Sequence, residues 1–282
     1  MESQIARAET FRSLHERPGI FAIPNPWDAG SASLLEKLGF EALATTSAGF
    51  AYSIAKPDGE GAISREETLA NARAIVAATS LPVSADLENG FGDDPDTCAE
   101  TIRLAAATGL VGGSIEDATG RPGDPIYAYD LSIRRVEAAV RAARSLAFPF
   151  VLTARAENLI HGRPDLQDTI RRLVAFAEAG ADVLFAPGLK TREEVDAVVR
   201  AVAPKPVNVI MGLSGPSFSL DALASLGVKR VSLGSSLARA AYGAFLRAAR
   251  EIAQTGTFEF ARDAIPYAEI NAMFKTRRGE RA

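Results

Sequence analysis

The 282-residue chain is 47% hydrophobic and carries 31 Lys and Arg against 35 Asp and Glu. It can bury a large core, while a net charge of −4 and a pI near 5.4 argue against nucleic acid or an anionic membrane as partner. Cys98 is the single cysteine, which rules out an intrachain disulfide; with no basic-then-apolar leader and no apolar run of roughly eighteen residues, the expected location is cytoplasmic.

In chain order, a helix is predicted over 5–16, stopped by Pro18-Gly19, and a strand over 21–26 leads to a helix over 29–38. A strand over 42–46 runs into a glycine-rich loop, 47–62, too long for an ordinary strand-to-helix turn and so a candidate for function. Ser64 and Glu67 make a capping-box pattern for a helix ending near 79. A third strand opens the stretch 82–94, Asp96 starts the next helix and Gly109 ends it. There follow a strand over 113–116, a polar loop over 117–130, a helix over 132–146, a strand over 150–156, a loop over 157–164 and a helix ending at Gly180. The last units are strand 183–186 with helix 191–202, strand 206–211 with helix 220–226, and strand 230–233 with helix 236–254.

One pattern recurs: helix, glycine, short apolar strand, as in Leu38-Gly39-Phe40, Thr108-Gly109-Leu110, Ala179-Gly180-Ala181 and Leu226-Gly227-Val228. Each glycine suits the left-handed residue that closes a helix, and each apolar run reads as a strand buried on both faces, hence parallel. A doubly wound sheet has the same local pattern with fewer units; eight units favour a (β/α)8 TIM barrel with an N-terminal helix and a C-terminal helical extension. The expected division is a catalytic barrel over 1–255 and an extension over 256–282, in which Ile265, Ile270, Met273 and Phe274 have the spacing of one more amphipathic helix.

Function in such a barrel sits at the C-terminal strand ends, where Asp28, Ser47, Asp86, Glu88, Glu116, Arg155, Asn208 and Ser235 all fall. Asp86 and Glu88, two apart, face the same way if the strand continues, and of Glu116-Asp117 only one can join them. Three carboxylates there form a hard-oxygen site suited to Mg²⁺. Arg155 either neutralises these acids or grips a substrate carboxylate, Asn208 needs polar partners, and Asp28 either joins the site or caps a helix. His15 reads as a packing residue and Cys98 as a small core residue. His161 reads first as an incidental loop residue, with acid or base chemistry as the alternative. Trp27 and Phe91 either line the pocket or pack, Lys190 reads as solvated, and Gly212, Gly215 and Gly234 are a weak phosphate-loop signal.

These motifs resemble the isocitrate lyase/phosphoenolpyruvate mutase superfamily over roughly residues 5–255. Asp86-Leu87-Glu88-Asn89-Gly90-Phe91-Gly92 looks like its strand-three motif, Ile115-Glu116-Asp117 its strand-four motif, and Ala154-Arg155-Ala156-Glu157 its strand-five motif. Thr46-Ser47-Ala48-Gly49 and Pro57-Asp58 resemble its substrate and metal-supporting loops. The resemblance implies Mg²⁺, with Mn²⁺ as substitute, held by Asp86 with Asp58, Glu88 and Glu116 around it, and catalytic roles for Asp58, Arg155 and Glu116. It implies a 2-oxo or 2-hydroxy carboxylate held by Ser47, Ala48, Arg155 and Asn208. It also implies a homo-oligomer, a tetramer or dimer, in which C-terminal helices pack on neighbours. The loop 118–127 departs from the family's lyases in having no cysteine, lysine or histidine, and Glu88 replaces a commoner aspartate. The resulting expectation is a Mg²⁺-dependent lyase or decarboxylase for a small dicarboxylate, with oxaloacetate-like substrates favoured. P–C bond chemistry on a phosphonopyruvate-like compound and a non-catalytic keto-acid-binding barrel are the alternatives, and a Schiff base at Lys190 is a distant one.

Overall fold

Short apolar runs between glycine-ended helices leave few ways to pair except side by side and parallel. A computed structural model describes residues 4–59, 61–212 and 217–275 and shows that outcome. Helix α1 (Gln4–Glu16) precedes β1 (Phe21–Ile23) and α2 (Ala29–Lys37); β2 (Leu43–Ala44) is followed by α3 (Ser47–Ser53) and α4 (Arg65–Ala77). Next come β3 (Val83–Asp86) with α5 (Pro95–Ala106), β4 (Gly112–Glu116) with α6 (Tyr129–Arg144), and β5 (Val151–Arg155) with α7 (Leu166–Glu178). The round ends with β6 (Val183–Phe185) and α8 (Arg192–Val202), β7 (Val207–Ile210) and α9 (Leu220–Ser225), and β8 (Arg230–Ser232) and α10 (Ser236–Thr255). A short 3₁₀ turn (Glu259–Arg262) and α11 (Tyr267–Phe274) follow.

The strands pair in parallel in the order β1-β8-β7-β6-β5-β4-β3-β2, a nearly closed (β/α)8 barrel with a C-terminal helix. Between β1 and β2 closure is made by other means: Ala44 N donates to Pro24 O at 3.1 Å. Asn25, buried just beyond β1, donates to Thr45 O at 3.0 Å and accepts from Leu233 N and Gly234 N at 2.8 and 2.9 Å. One amide thus ties the C-terminal ends of β1, β2 and β8 together. No helix among the described residues is long and apolar enough to cross a membrane.

Two local expectations change, at 47–62 and after β3, and one open alternative, at Asp28, is decided. The segment 47–62 opens as α3 and not as loop, because Thr46 Oγ1 accepts from Gly49 N at 3.2 Å and so caps a helix. Gly49 there serves close packing: a Cβ would lie 2.6 Å from Thr46 Cγ2 and 3.0 Å from Trp27 Cβ. Asp28 is a helix cap, bonded to Ser31 N at 2.7 Å in a capping box. Strand β3 stops at Asp86, so strand alternation does not set the direction of Glu88. At the C-terminus α11 lies against α2, with the Phe274 ring about 4.0 Å from where a Gly30 Cβ would stand. Gly215 and the arginines 277, 278 and 281 lie outside the described residues.

The N-terminal end of the barrel is closed by α1, whose Phe11 is fully buried against Gly112. His15 Nδ1 lies 2.8 Å from Phe11 O and therefore carries the hydrogen, leaving Nε2 to accept from Arg230 Nη1 at 3.2 Å. Arg230 in turn donates to Asn208 Oδ1 and Thr153 Oγ1 at 2.8 and 2.9 Å. Burial, and then the Arg230 charge, hold the His15 pKa down to about 3. As pH falls below the ordinary histidine value of 6.5, the unfolded chain takes up a proton that the folded chain refuses until about pH 3, so stability falls with pH across that window. Wild type should lose about 2 kcal/mol relative to His15→Gln between about pH 7 and about pH 5 in urea titrations. Parallel pH curves for the two proteins would refute the neutral-His15 assignment.

Candidate active site

The loop after β3 carries the acids on unusual backbone. Glu88 and Phe91 have φ of 47° and 63°, left-handed values that bulky residues rarely adopt, and Gly90 has φ 78°. Arg135 of α6, fully buried, holds this conformation by donating to Gly92 O and Asp93 O at 2.5 and 2.6 Å and to Asn89 O. Its guanidinium lies 4.0 Å from the Tyr127 ring centroid. Glu116 N donates to Glu88 O at 3.0 Å and Glu88 N to Asp86 Oδ1 at 3.3 Å, which brings the β3 and β4 acids to one place.

Arg155, at the end of β5, stands among them. Its Nη1 is 2.8 Å from Asp86 Oδ1, its Nη2 3.2 Å from Glu116 Oε2, and its Nε 2.8 Å from Glu157 Oε1. Of the two roles open to it, Arg155 takes the neutralising one here. Ser47, the first residue of α3, donates to Asp86 Oδ2 at 3.1 Å and also bonds Asp58. Asp117 faces the other way, accepting from Glu157 N at 2.8 Å and Arg172 Nη1 at 3.0 Å.

One guanidinium does not balance this charge. Burial and then Asp86 push the Asp58 carboxyl up. Burial, Asp86 and Asp58 push Glu88 up to about 7. Burial raises Glu116 well above the usual range, with Glu157, Asp86 and Glu88 adding to it against the opposing pull of Arg155. An all-oxygen donor set carrying excess negative charge matches a hard divalent cation in chemistry. Among the described residues no three His, Cys, Asp or Glu side chains surround a common point, because Asp86 and Glu116 turn toward Arg155, the counter-charge that a bound cation would replace.

Two cavities meet at these acids. A narrow one of ≈ 180 Å³ runs down the barrel past Ser47, Ala48, Asp58, Asp86, Arg155 and Asn208. A wide one of ≈ 800 Å³ is lined by Asp58, Glu88, Phe91, Glu116, Arg121 and His161. Asn208 lies deep in the first, accepting from Arg230 Nε and donating to Ser232 Oγ at 2.9 Å. Phe91 therefore lines a cavity, Cys98 is buried in the core, and exposed Lys190 lines neither cavity. Sequence reasoning passed over Asn25, Arg135, Asp117 and Arg230 as supports. Arg230 did leave a signal, a charged residue inside the run Val228-Lys229-Arg230-Val231.

Residues 11–253 match the family model described as phosphoenolpyruvate phosphomutase. The chain belongs to that family. A candidate lyase/mutase from Burkholderia cenocepacia J2315, known as a crystal structure, is 63% identical with a TM-score of 0.94, covering 97% of each chain. An uncharacterised protein of Mycobacterium tuberculosis strain H37Rv, Rv1998c, is 32% identical over 269 residues, 93% of this chain and 95% of its own length. An oxaloacetate decarboxylase of Paraburkholderia xenovorans LB400 is 27% identical over 231 residues, 80% of this chain and 74% of its own. Other relatives are named 2-methylisocitrate lyase. The chain is accordingly an enzyme of the isocitrate lyase/PEP mutase superfamily.

Removing Arg155 leaves Asp86, Glu116 and Glu157 facing one another without a counter-charge. Arg155→Gln should lower the unfolding free energy by about 3–5 kcal/mol at neutral pH. Chemical denaturation measures this, and wild-type stability would show that the guanidinium is not what balances the acids.

Proposed function

We propose that this enzyme cleaves a carbon–carbon bond of a small 2-oxo or 2-hydroxy dicarboxylate, with decarboxylation of an oxaloacetate-like substrate favoured. The observation that carries this reading is the gathering of Asp58, Asp86, Glu88 and Glu116, from the loop after α3 and the C-terminal ends of β3 and β4, at the junction of the two cavities. Asp86, with Asp58, Glu88 and Glu116 around it, would hold Mg²⁺ or Mn²⁺. The bound ion supplies a Lewis acid for the 2-oxygen and its developing charge.

The chain's own groups do the rest. The backbone N–H groups of Ser47 and Ala48 bind the carboxylate beside the 2-oxo carbon, joined by Arg155 once a cation takes its place as counter-charge to Asp86 and Glu116, and Asn208 below them offers its remaining amide hydrogen. The narrow cavity orients that end of the substrate, and the wide cavity receives the part that leaves. Loss of CO₂ needs nothing from the loop 118–127, which lacks a cysteine, lysine or histidine. Oxaloacetate consumption should require Mg²⁺ or Mn²⁺ and should fall at least about 100-fold in Asp86→Ala. Equal rates in wild type, metal-stripped protein and variant would end this reading. Turnover of phosphonopyruvate followed by phosphorus NMR would replace it with P–C chemistry, and tight keto-acid binding without turnover would make the barrel a binding protein.

We also propose that the enzyme works as a cytoplasmic homo-oligomer. Phe245, Phe258, Ile265 and Tyr267 are exposed along α10 and the chain that follows it, an apolar surface of the kind that partners cover. Light scattering should give a dimer or tetramer, and a monomer at micromolar concentration would refute it.

A further inference from the structure

We propose that His161 is the proton donor of this active site, oriented by Glu157. The inference rests on the carbon–carbon lyase reading and adds a residue to it. Cleavage leaves an electron pair on the carbon next to the 2-oxo group, and that carbon must gain a proton before product leaves. The loop after β4 offers no such group: its Tyr127 hydroxyl donates to Asp93 Oδ1 at 2.5 Å, and Arg135 lies over its ring. The chain has two histidines, and His15 is committed to the opposite end of the barrel.

His161 lines the wide cavity together with Glu88 and Glu116, whereas Arg155 lines the narrow one. Its Nε2 lies 3.8 Å from Glu157 Oε2, a separation that tightens readily when a site fills. Glu157 is 2% exposed, and its other oxygen is the one bonded to Arg155. A single buried carboxylate therefore links the Arg155 guanidinium to the imidazole.

The loop that presents His161 is built rather than loose. Buried Asn158 donates to Arg163 O and Asp165 O at 3.1 and 2.9 Å and accepts from Thr169 Oγ1 at 2.9 Å. His161 N and Arg163 N donate back to Asn158 O at 3.3 and 3.0 Å. The loop after β6 presses on it: a Cβ on Gly188 would stand 2.8 Å from Ile160 Cγ2 and 3.0 Å from Leu159 Cβ. An incidental surface histidine needs neither a buried carboxylate at its ring nor a buried amide beneath its backbone.

The step balances. When CO₂ departs, the pair from the broken C–C bond sits in the enolate. That pair forms the new C–H bond to the imidazolium proton, and the N–H electrons stay on nitrogen. Neutral imidazole and a 2-oxo acid result, and water returns a proton to the ring.

Run backward, the same group removes a methyl proton from pyruvate, so proton NMR in D₂O with Mg²⁺ present reads it without any C–C cleavage. His161→Gln should slow methyl exchange by about 100-fold or more. Oxaloacetate consumption should fall less than about tenfold, since bond breaking precedes protonation. Added imidazole should restore exchange to His161→Ala, a rescue that a merely structural role would not show. Exchange at the wild-type rate in His161→Gln, or no imidazole rescue in a His161→Ala protein of wild-type thermal stability, would overturn the assignment alone. A wild-type protein that neither exchanges pyruvate nor consumes oxaloacetate would overturn both it and the lyase reading.

Discussion

The guanidinium of Arg155, buried among Asp86, Glu116 and Glu157, is the constraint on which the upper end of the barrel depends. Charges taken out of water persist only when counter-charges and hydrogen bonds meet them at close range. Each neighbouring acid is accordingly held from a second direction: Ser47 on Asp86, the Glu88 carbonyl on the Glu116 backbone, Asp117 on the Glu157 backbone. Asp117 is itself fixed by Arg172, which also bonds Tyr127 O and Ser132 Oγ at 3.1 and 3.2 Å. The consequence is a network from β3 to α7 in which no acid moves alone.

The loops around this network are stiffened where the chemistry needs placement. The chain after β3 adopts left-handed backbone at Glu88 and Phe91, a conformation that survives because Arg135 occupies three carbonyls of that turn. The loop after β4 is closed on itself, with Thr119 N bonded to Pro125 O and Tyr127 N to Asp117 O, both at 2.9 Å. Arg121 pins it to the β3 loop through both oxygens of Asp93, at 3.0 and 2.9 Å. The wall of the wide cavity is thus shared between two loops that are bonded to each other.

The barrel interior is more polar than the branched aliphatic layers usual in this fold. Arg230, Asn208, Thr153 and Ser232 fill its lower part, and burial pulls the Arg230 pKa down to about 9. Neutral acceptors satisfy that guanidinium: an amide oxygen, a hydroxyl and an unprotonated imidazole. The apolar core lies instead between the strands and the surrounding helices, where Phe150, Phe176, Ile102 and Leu184 are fully buried.

The sequence by itself determined the repeating unit and its count, because parallel strands buried on both faces leave continuous apolar runs and helix ends leave glycines. It also placed the acids and Arg155 at strand ends, since a charge closing an apolar strand is conspicuous. It misread the opening of 47–62, because Gly49 signals a loop in sequence and close packing against Thr46 and Trp27 in space. It passed over Asn25, Arg135 and Arg230, whose partners lie on elements distant along the chain. It left His161 between an incidental and an acid–base reading, because the Glu157 carboxylate and the cavity beside it are brought there only by folding. Side-chain direction beyond a strand end, as at Glu88, and the pairing of one cation with several acids are decided by tertiary packing, because local periodicity ends where the regular backbone does.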